Sequence, residues 1–346
     1  MAPQDRRAPA VFVQTNDAAA NEVIAFARDD DGALTRLGRF ATGGRGTGVP
    51  HLASQGSLAL TADGRHLLVA NAGSDELSLL AIQAGGLLLE DCAASGGATP
   101  TSVAVSGDLV YVLNHGTPGV AAFRIHDGRL VALEGSRREL SSADADPAQV
   151  AFSRDGRTLA VTERGTDSIS TFAIDDRGYA SGPVTIRASG RTPYGFDFTE
   201  DGAMIVTEAF GGQAGAAAAA SYAVAEPGRL APVSGSVGDT RSEVCWAVVS
   251  HRGRVAYVTN FGDGTISSFA VGADGGLVLR DAVAASTRLG TKGIRDEAIS
   301  RDGRHLYAID ADAQQLFGWA IHDDGALSPI GAFDGVPATV AGLAAS

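Results

Sequence analysis

The chain has 346 residues, of which 45% are hydrophobic, and its formal net charge at pH 7 is −13. The excess of acidic residues disfavours nucleic acid as a partner, because carboxylates and phosphates repel each other. No apolar run approaches the roughly 18–20 residues of a membrane span, and the opening MAPQDRRAPAVFVQ has no apolar signal-peptide region before the first strand. These features predict a cytoplasmic protein without a membrane partner, or a secreted one if a signal peptide has been removed.

Segments of strand length follow one another along the whole chain. The first is AVFVQTN from Ala10, and similar stretches rich in Val, Leu, Ile and Phe follow it. The five most alike, including LALTADGRHLLVANAGSDELSLLAI and VAFSRDGRTLAVTERGTDSISTFAI, begin at Leu58, Val103, Val150, Val248 and Ala298. They recur after roughly 45–50 residues, a period that is typical of propeller blades and other repeat arrays.

Two kinds of glycine turn divide each repeat into four strands. The turn between the first and second strands falls at Asp63-Gly64, Gly107-Asp108, Asp155-Gly156, Asp201-Gly202, Arg252-Gly253 and Asp302-Gly303. The turn between the third and fourth strands falls at Asp31-Gly32, Gly85-Gly86, Asp127-Gly128, Arg177-Gly178, Pro227-Gly228, Gly275-Gly276 and Asp324-Gly325. Such dipeptides supply the positive φ of tight hairpins, so each repeat is predicted to be a four-stranded antiparallel meander.

The count of turns predicts seven blades. The second kind of turn occurs seven times and the first only six, because the chain enters at a second strand. The C-terminal segment ATVAGLAAS is expected to supply the missing inner strand of the first blade and to close the ring, which removes exposed sheet edges. We therefore predict an all-β fold, a seven-bladed β-propeller forming a single domain over residues 1–346. The alanine-rich stretch 213–220 is predicted to be a lengthened loop or a small-residue strand within one blade.

The ends of the second strands supply the first candidate site residues. Both glycine turns lie on one face of the predicted ring, so the longer loops of the opposite face are expected to bind a ligand. The second strands end at Asn16, Asn71, Asn114, Glu163, Glu208, Asn260 and Asp310. Asn and Asp are ordinary turn formers, but Glu is not. Glu163 and Glu208 are therefore candidates for a catalytic acid or base; a surface or salt-bridged carboxylate is the alternative for each.

The crossovers between blades lead into the inner strands, whose starts line the mouth of a propeller channel. They supply His51, Gln55, Thr101, Gln149, Tyr194, Cys245, Trp246, Arg295, Asp296 and Glu297. Two further polar residues, His115 and Arg164, each follow the end of a second strand. His115 is the third catalytic candidate, and a structural hydrogen bond is the alternative.

The predicted substrate-binding residues are Arg164, Arg295, Tyr194, Gln149 and Trp246. Arginine can hold a carboxylate with two hydrogen bonds, although a salt bridge within the protein is an equally ordinary use of it. The aromatic residues, with Phe210 and Phe261, could form an apolar wall of the pocket or could pack in the core.

Motifs that would indicate a metal or a cofactor are missing from the sequence. Cys92 and Cys245 lie in different repeats and have neither metal-ligand spacing nor the pattern of a disulfide framework. The sequence also lacks a nucleophile elbow, a phosphate-binding glycine loop and a zinc motif. We therefore predict a small-molecule site that uses no metal and no cofactor.

The phrases FSRDGRTLAVTERGTDSISTFAI and SRDGRHLYAIDADAQQLFGWAI resemble the lactonase-type seven-bladed propellers. That family includes bacterial 6-phosphogluconolactonases of the propeller kind and fungal carboxy-cis,cis-muconate cyclases, and the similarity covers essentially the whole chain. The resemblance implies an Arg-His pair where a crossover enters an inner strand, followed by a carboxylate at the end of the next strand. Glu208 matches the carboxylate, but the segment RTPYG at residues 191–195 does not contain the pair.

Two kinds of function stay open at this point. The first is an enzyme that opens or closes a lactone on a small acidic molecule by general acid–base catalysis, as a hydrolase or as an isomerase-type cyclase or lyase. If Glu208 is the base, the substitution Glu208→Gln is expected to lower turnover by orders of magnitude. The second is a binding or scaffold propeller without chemistry, which the missing Arg-His pair favours.

Overall fold

The structure, a computed structural model, has the predicted architecture of a seven-bladed β-propeller. It describes residues 8–50, 52–250 and 254–346, so His51 and the predicted Arg252-Gly253 turn lie outside the described residues. Within these ranges, 29 strands form seven antiparallel sheets. Six sheets have four strands, and that of blade 3 has a short fifth strand. The strands follow chain order in every blade except the first, whose inner strand is the last of the chain.

The strands of each blade are given from the inner edge outward. Blade 1 contains β29 (Ala341–Ala345), β1 (Ala10–Gln14), β2 (Glu22–Arg28) and β3 (Leu34–Ala41), and blade 2 contains β4 (Leu58–Leu60), β5 (His66–Asn71), β6 (Glu76–Gln83) and β7 (Gly86–Ala94). Blade 3 contains β8 (Pro100–Ser106), β9 (Leu109–Asn114), β10 (Gly119–His126) and β11 (Arg129–Ala132), with β12 (Arg138–Glu139) added beside β10. Blade 4 contains β13 (Pro147–Phe152), β14 (Thr158–Glu163), β15 (Ser168–Ile174) and β16 (Ala180–Arg187).

The last three blades follow the same order. Blade 5 contains β17 (Pro193–Phe198), β18 (Ala203–Glu208), β19 (Ala218–Glu226) and β20 (Arg229–Gly238). Blade 6 contains β21 (Val244–Val249), β22 (Val255–Asn260), β23 (Thr265–Val271) and β24 (Leu277–Ser286). Blade 7 contains β25 (Ile294–Ile299), β26 (His305–Asp310), β27 (Gln315–Ile321) and β28 (Leu327–Asp334). A 3-10 turn at Phe210–Gly212 precedes β19, so the alanine-rich stretch is a loop that continues into a strand.

The C-terminal strand closes the ring, as predicted. β29 pairs antiparallel with β1, which places Val11 opposite Ala345 and Val13 opposite Leu343. β29 also contacts the inner strands β25 and β4 on either side. The first blade is therefore built from both ends of the chain.

The core lies between the blades. All six side chains of the second strand β14 are buried, whereas the outer strand β3 alternates between partly exposed and exposed positions. Apolar side chains of adjacent blades pack against each other, for example Tyr111 of blade 3 with Val161 of blade 4. Among the described residues there is no helix of sufficient length and apolar character to cross a membrane.

A repeated turn brings the ends of second strands to the starts of inner strands. In four blades a residue other than glycine stands immediately before the inner strand with left-handed backbone geometry: Thr99, Asp146, Thr192 and Glu243. The carbonyl of each accepts a hydrogen bond from the N–H of the residue that follows the second strand: these donors are His115, Arg164, Ala209 and Phe261. The residue after each second strand therefore lies beside the entrance to the channel.

The crossover from blade 1 to blade 2 enters the channel before it reaches β4. Ser54 Oγ donates to the Thr101 carbonyl of blade 3 at 2.8 Å, and Gln55 N–H donates to the Ala148 carbonyl of blade 4 at 3.2 Å. The Gln55 carbonyl in turn accepts from Ser102 Oγ at 2.6 Å. Residues 54–56 thus lie across the channel, and we call this segment the channel plug.

The channel plug also reaches blade 6, on the far side of the ring. The Gln55 amide nitrogen donates to the Ala247 carbonyl at 2.8 Å, and the Gln55 amide oxygen accepts from Ala247 N–H at 3.1 Å. Trp246 Nε1 donates to the Ser54 carbonyl at 3.1 Å. Gly195 of blade 5 faces the Gln55 amide so closely that a Cβ there has no room. The plug therefore forms a floor beneath the starts of the inner strands.

Candidate functional site

The candidate site is the channel mouth on the face that carries the crossovers. It is formed by side chains from the starts of inner strands and from residues that follow second strands: Thr101, Tyr194, Cys245, Arg295, His115, Arg164 and Phe261. Asp146 and Trp246 complete it. Five predicted site residues, His115, Arg164, Arg295, Tyr194 and Trp246, lie in this group.

Asp146 joins a histidine and an arginine at this mouth. His115 Nε2 lies 2.9 Å from Asp146 Oδ1, and Arg164 Nη2 lies 2.6 Å from the same oxygen. The hydrogen bond from His115, with help from the charge of Arg164, lowers the pKa of Asp146. Asp146 therefore remains a carboxylate at neutral pH and holds two cationic or basic groups from blades 3 and 4 together.

Tyr194 extends this cluster toward the channel axis. Arg164 Nη1 donates to the Tyr194 hydroxyl at 3.2 Å, and the guanidinium lies 4.8 Å from the centre of the Tyr194 ring. Tyr194 packs edge-on against Trp246, with ring centres 5.8 Å apart. Burial strongly raises the pKa of Tyr194, so it is present as a neutral phenol.

Cys245 lies between the two arginines of the mouth, and its thiol is not activated as a nucleophile. Burial raises the pKa of its thiol to about 12, although the charges of Arg295 and Arg164 act in the opposite direction. The thiol donates to the Glu243 carbonyl at 3.4 Å. Because the thiolate is the nucleophilic form of cysteine, Cys245 is not suited to covalent catalysis at neutral pH.

Arg295 is a buried cation of the mouth, and only 9% of its surface is exposed. Its guanidinium lies 4.8 Å from the centre of the Phe261 ring, and its Nε has no hydrogen-bond partner. No carboxylate of the described residues forms an ion pair with it. Burial lowers the pKa of Arg295, and the charge of Asp312 opposes that shift. Thr101 Oγ1, at the start of the inner strand of blade 3, is also buried without a partner. The mouth thus offers hydrogen-bonding capacity that the protein itself does not use.

The structure does not bring Glu163 into this group. Glu163 is fully buried, and its carboxylate accepts from Ser141 N–H at 3.2 Å, Thr166 Oγ1 at 2.8 Å and Ser170 Oγ at 2.5 Å. The Ser141 hydroxyl is a fourth donor. Ser141 belongs to the crossover from blade 3, so the carboxylate fastens that crossover to blade 4.

Glu208 has the equivalent position in blade 5. It is fully buried, its Oε1 accepts from Gly190 N–H at 2.6 Å, and its Oε2 accepts from the Ser236 hydroxyl. Burial raises the pKa of Glu208, and these two hydrogen bonds limit the shift. Glu163 and Glu208 therefore lie in separate blades, and neither converges with an arginine.

Gln149 lies beside the channel with both ends of its amide occupied. Its nitrogen donates to the Phe196 carbonyl at 2.8 Å, and its oxygen accepts from Phe196 N–H at 2.6 Å. These bonds join blade 4 to the inner strand of blade 5. The predicted substrate-binding residue is thus engaged by the backbone of the neighbouring blade.

Two surface depressions lie on the opposite face, among the glycine turns. The larger is a groove of about 1330 Å³ beside Arg28, Arg65, Arg301 and Asp302, and the smaller has a volume of about 340 Å³ beside Arg154 and Asp201. The larger contains acidic and basic side chains in similar number, whereas the smaller is lined by four acidic residues and one arginine. We place the candidate site at the channel mouth because the buried guanidinium of Arg295 lies there with no ion pair among the described residues. The buried Arg28 of the larger groove is instead paired with Asp302. Among the described residues, no cluster of three His, Cys, Asp or Glu could hold a metal ion.

Asp146 is the site residue that the sequence analysis missed. The sequence does contain a pattern that points to Asp146. Equivalent places before inner strands hold the dipeptides Thr99-Pro100, Asp146-Pro147 and Thr192-Pro193. Threonine stands at two of these positions and a charged residue at the third. Glu243 places a second carboxylate at the equivalent position of blade 6, but only Asp146 of these residues stands beside an arginine that follows a second strand.

Comparison with protein families identifies the group to which this propeller belongs. The model of the family described as "Lactonase, 7-bladed beta-propeller" matches residues 19–138 and 132–210, which together span more than half of the chain. The chain belongs to this lactonase family. No curated protein matched the chain in the corresponding search.

Solved structures similar to this lactonase-family propeller agree with the fold. A protein from Bacteroides uniformis proposed to be a 6-phosphogluconolactonase has a TM-score of 0.75 and 19% identity over 97% of this chain and 99% of its own. The periplasmic gluconolactonase of Pseudomonas aeruginosa has a TM-score of 0.73 and 20% identity over 97% and 98%. A functionally unknown protein from Desulfotomaculum acetoxidans has a TM-score of 0.73 and 16% identity over 98% of both chains.

The lactonase-family propeller differs from the expected motif at residues 191–195. Arg191 is exposed and lies near Gly211, next to the 3-10 turn of blade 5. Tyr194 follows it into the inner strand and reaches the mouth, where the resemblance predicted a histidine. The histidine of the described mouth is instead His115, which comes from blade 3.

Proposed function

We propose that this lactonase-family propeller hydrolyses a lactone of a small acidic molecule at the channel mouth, by general acid–base catalysis and without a cofactor. The observation that carries this proposal is the environment of Arg295, a buried guanidinium with no ion pair among the described residues. An uncompensated buried charge is costly, so an anionic ligand is the natural partner of Arg295. Arg164 and His115 stand in the same mouth.

In the proposed reaction, His115 accepts a proton from a water molecule as its oxygen forms a bond to the lactone carbonyl carbon. The carbonyl oxygen becomes an oxyanion that Arg164 stabilises, while Arg295 binds the carboxylate of the substrate. Collapse of the tetrahedral intermediate breaks the ring C–O bond, and the ring oxygen takes the proton back from His115. The product is the open hydroxy acid, and proton transfer of this kind contributes roughly 10²–10⁴-fold to the rate.

The proposed roles of His115 and the two arginines are compatible with ring closure as well as with ring opening. The same base and cations support ring closure onto an unsaturated acid, because proton transfer and charge stabilisation are required there too. The buried carboxylates of Glu163 and Glu208 have no part in this proposal, since their oxygens are bonded inside their own blades. Cytoplasmic location likewise stays a prediction.

A panel of lactones and unsaturated diacids, followed by pH change and NMR, tests the proposal on the purified full chain. On the best substrate, His115→Asn is expected to lower kcat by about 10²–10⁴-fold, and Arg295→Gln to raise KM by about tenfold or more, the loss of one charged hydrogen bond. His126→Asn and Arg229→Gln are the matched controls, because both residues are exposed at turns of the opposite face. Turnover that survives both mouth substitutions would overturn the proposal.

A second candidate function is capture of a small carboxylate without chemistry. It is favoured by the structural use of Glu163 and Glu208, which leaves the mouth without a glutamate. Calorimetry with the same panel separates the two functions. Binding that Arg295→Gln abolishes, together with absence of turnover and of any product by NMR, would establish the binding function.

A further inference from the structure

Asp146 has an unusual position for an acidic residue. Its φ is +44°, in the left-handed region that few side chains adopt, and it immediately precedes the inner strand β13. Its carbonyl accepts from Arg164 N–H at 3.2 Å, which fixes the backbone beside the end of β14. The backbone thus aims the Asp146 carboxylate across the gap between blades 3 and 4, toward His115.

We propose that Asp146 is a positioning residue that selects the nitrogen with which His115 acts as a base. An ionised carboxylate is only an acceptor, so the His115 Nε2 that lies 2.9 Å from it must carry a proton. The lone pair of the neutral imidazole is then on Nδ1. This inference rests on the proposed function for its catalytic meaning, but the tautomer itself is a property of the unliganded protein.

The same carboxylate oxygen fixes Arg164. Arg164 Nη2 is 2.6 Å from Asp146 Oδ1, and Nη1 is 3.2 Å from the Tyr194 hydroxyl. The guanidinium is therefore held between a carboxylate and an aromatic ring, and only 13% of its side chain is exposed. Through one oxygen, Asp146 sets the orientation of the proposed base and of the proposed oxyanion-binding cation together.

The groups that face His115 and Arg164 support this assignment. Among the described residues, Asp146 is the carboxylate that bonds both of them. The Arg164 side chain also donates to the Tyr194 hydroxyl and to the carbonyl of Asp146. His115 is half-exposed, with 37% of its side chain accessible. Loss of Asp146 is therefore expected to free the imidazole ring while the backbone of both blades stays in place.

The test uses Asp146→Asn in the full chain, because asparagine tolerates left-handed geometry and keeps the backbone hydrogen bonds. Long-range ¹H–¹⁵N NMR of histidine-labelled protein reports the tautomer where the imidazole is neutral, and His115→Gln identifies the His115 signal among the seven histidines. We expect the Nε2–H tautomer in the wild type and a rise of the Nδ1–H tautomer in Asp146→Asn. A wild-type His115 in the Nδ1–H form would overturn the proposal.

Kinetics then separate positioning from a merely structural role. Asp146→Asn is expected to lower kcat by roughly 10²-fold, part of the contribution of the base, with the circular dichroism spectrum unchanged. Adding Asp146→Asn to His115→Asn is expected to cause only about a tenfold further loss or less, because Asp146 then acts through Arg164 alone. A full additional 10²-fold loss would contradict positioning of the base. If no lactone is turned over, the proposed function fails, and the NMR result still decides the placement of the His115 proton.

Discussion

Gln55 pairs with Ala247 across the channel, although the two residues are 192 positions apart in the chain. The side-chain amide of Gln55 satisfies both the carbonyl and the N–H of Ala247, at 2.8 and 3.1 Å. Both residues are buried. A single side chain thus takes the place of a neighbouring strand on the inner edge of blade 6, and it ties that blade to the crossover between blades 1 and 2.

We predict that Gln55→Ala lowers the free energy of unfolding by about 2–4 kcal/mol, because it leaves two buried backbone groups without partners. Urea denaturation followed by tryptophan fluorescence measures the change. Gln83→Ala is the matched control, since Gln83 is exposed at the end of β6, and a change within about 0.5 kcal/mol is expected there. Equal effects of the two substitutions would show that the channel plug does not stabilise the ring.

The contact between Gly190 and Glu208 gives a second prediction. A Cβ at Gly190 would meet both the Glu208 carboxylate and the Ser236 hydroxyl, and the buried carboxylate has little freedom to move. Gly190→Ala is therefore expected to destabilise the protein by about 1–3 kcal/mol. Gly235→Ala provides the control, because no atom lies within 4 Å of a Cβ at Gly235. Thermal unfolding of both variants should show a lower Tm for Gly190→Ala alone.

Glu163 and Glu208 give a third prediction, which concerns turnover. Because both carboxylates are bonded to crossovers and do not reach the mouth residues, Glu163→Gln and Glu208→Gln are expected to keep kcat within a factor of about three. Glu163→Gln is also expected to lower stability by about 1–3 kcal/mol, since four hydrogen bonds to a carboxylate are disturbed. Steady-state assays normalised to folded protein measure kcat. A 100-fold loss of kcat in either variant would show that this glutamate takes part in the reaction.

The sequence predicted the ring well because its signals are local. Each glycine turn closes a hairpin within a few residues, so counting turns of the second kind, such as Asp127-Gly128, is enough to count blades. The alignment of second strands led to His115 and Arg164, and the crossovers led to Tyr194. Residues at equivalent positions of different blades reach the same end of the channel, which is why these two patterns point to one region.

The direction of the glutamate side chains could not be predicted from the same alignment. Successive residues at a strand end point to opposite sides, so Glu163 enters the blade while Arg164 faces the mouth. One partner of Glu163, Ser141, also comes from a crossover 22 residues earlier, and no strand pattern predicts the path of that crossover. The channel plug could not be predicted either, since the segment ASQGS has no pattern that indicates a hydrogen bond to blade 6.

A buried carboxyl group at the start of blade 7 makes stability depend on pH. Glu297 is 2% exposed, and neither of its carboxyl oxygens has a hydrogen-bond partner. Burial, with the nearby charges of Asp296 and Asp197, raises the pKa of Glu297 well above its ordinary value. Burial also raises the pKa of Asp296 to about 7, although backbone N–H groups oppose the shift. Both groups therefore favour the protonated form in the folded protein.

We predict that the free energy of unfolding falls as pH rises from 5 to 8, and that Glu297→Gln reduces this fall. A carboxyl whose folded-state pKa is raised stabilises the fold fully below its unfolded pKa of about 4.3, and this contribution is lost as pH rises through the folded value. Glutamine is neutral at every pH, so the Glu297→Gln variant does not show this loss of stability. Urea titrations at several pH values measure the slopes, with exposed Glu200→Gln as the control. Parallel slopes for wild type and Glu297→Gln would mean that water or a cation reaches this carboxylate in solution.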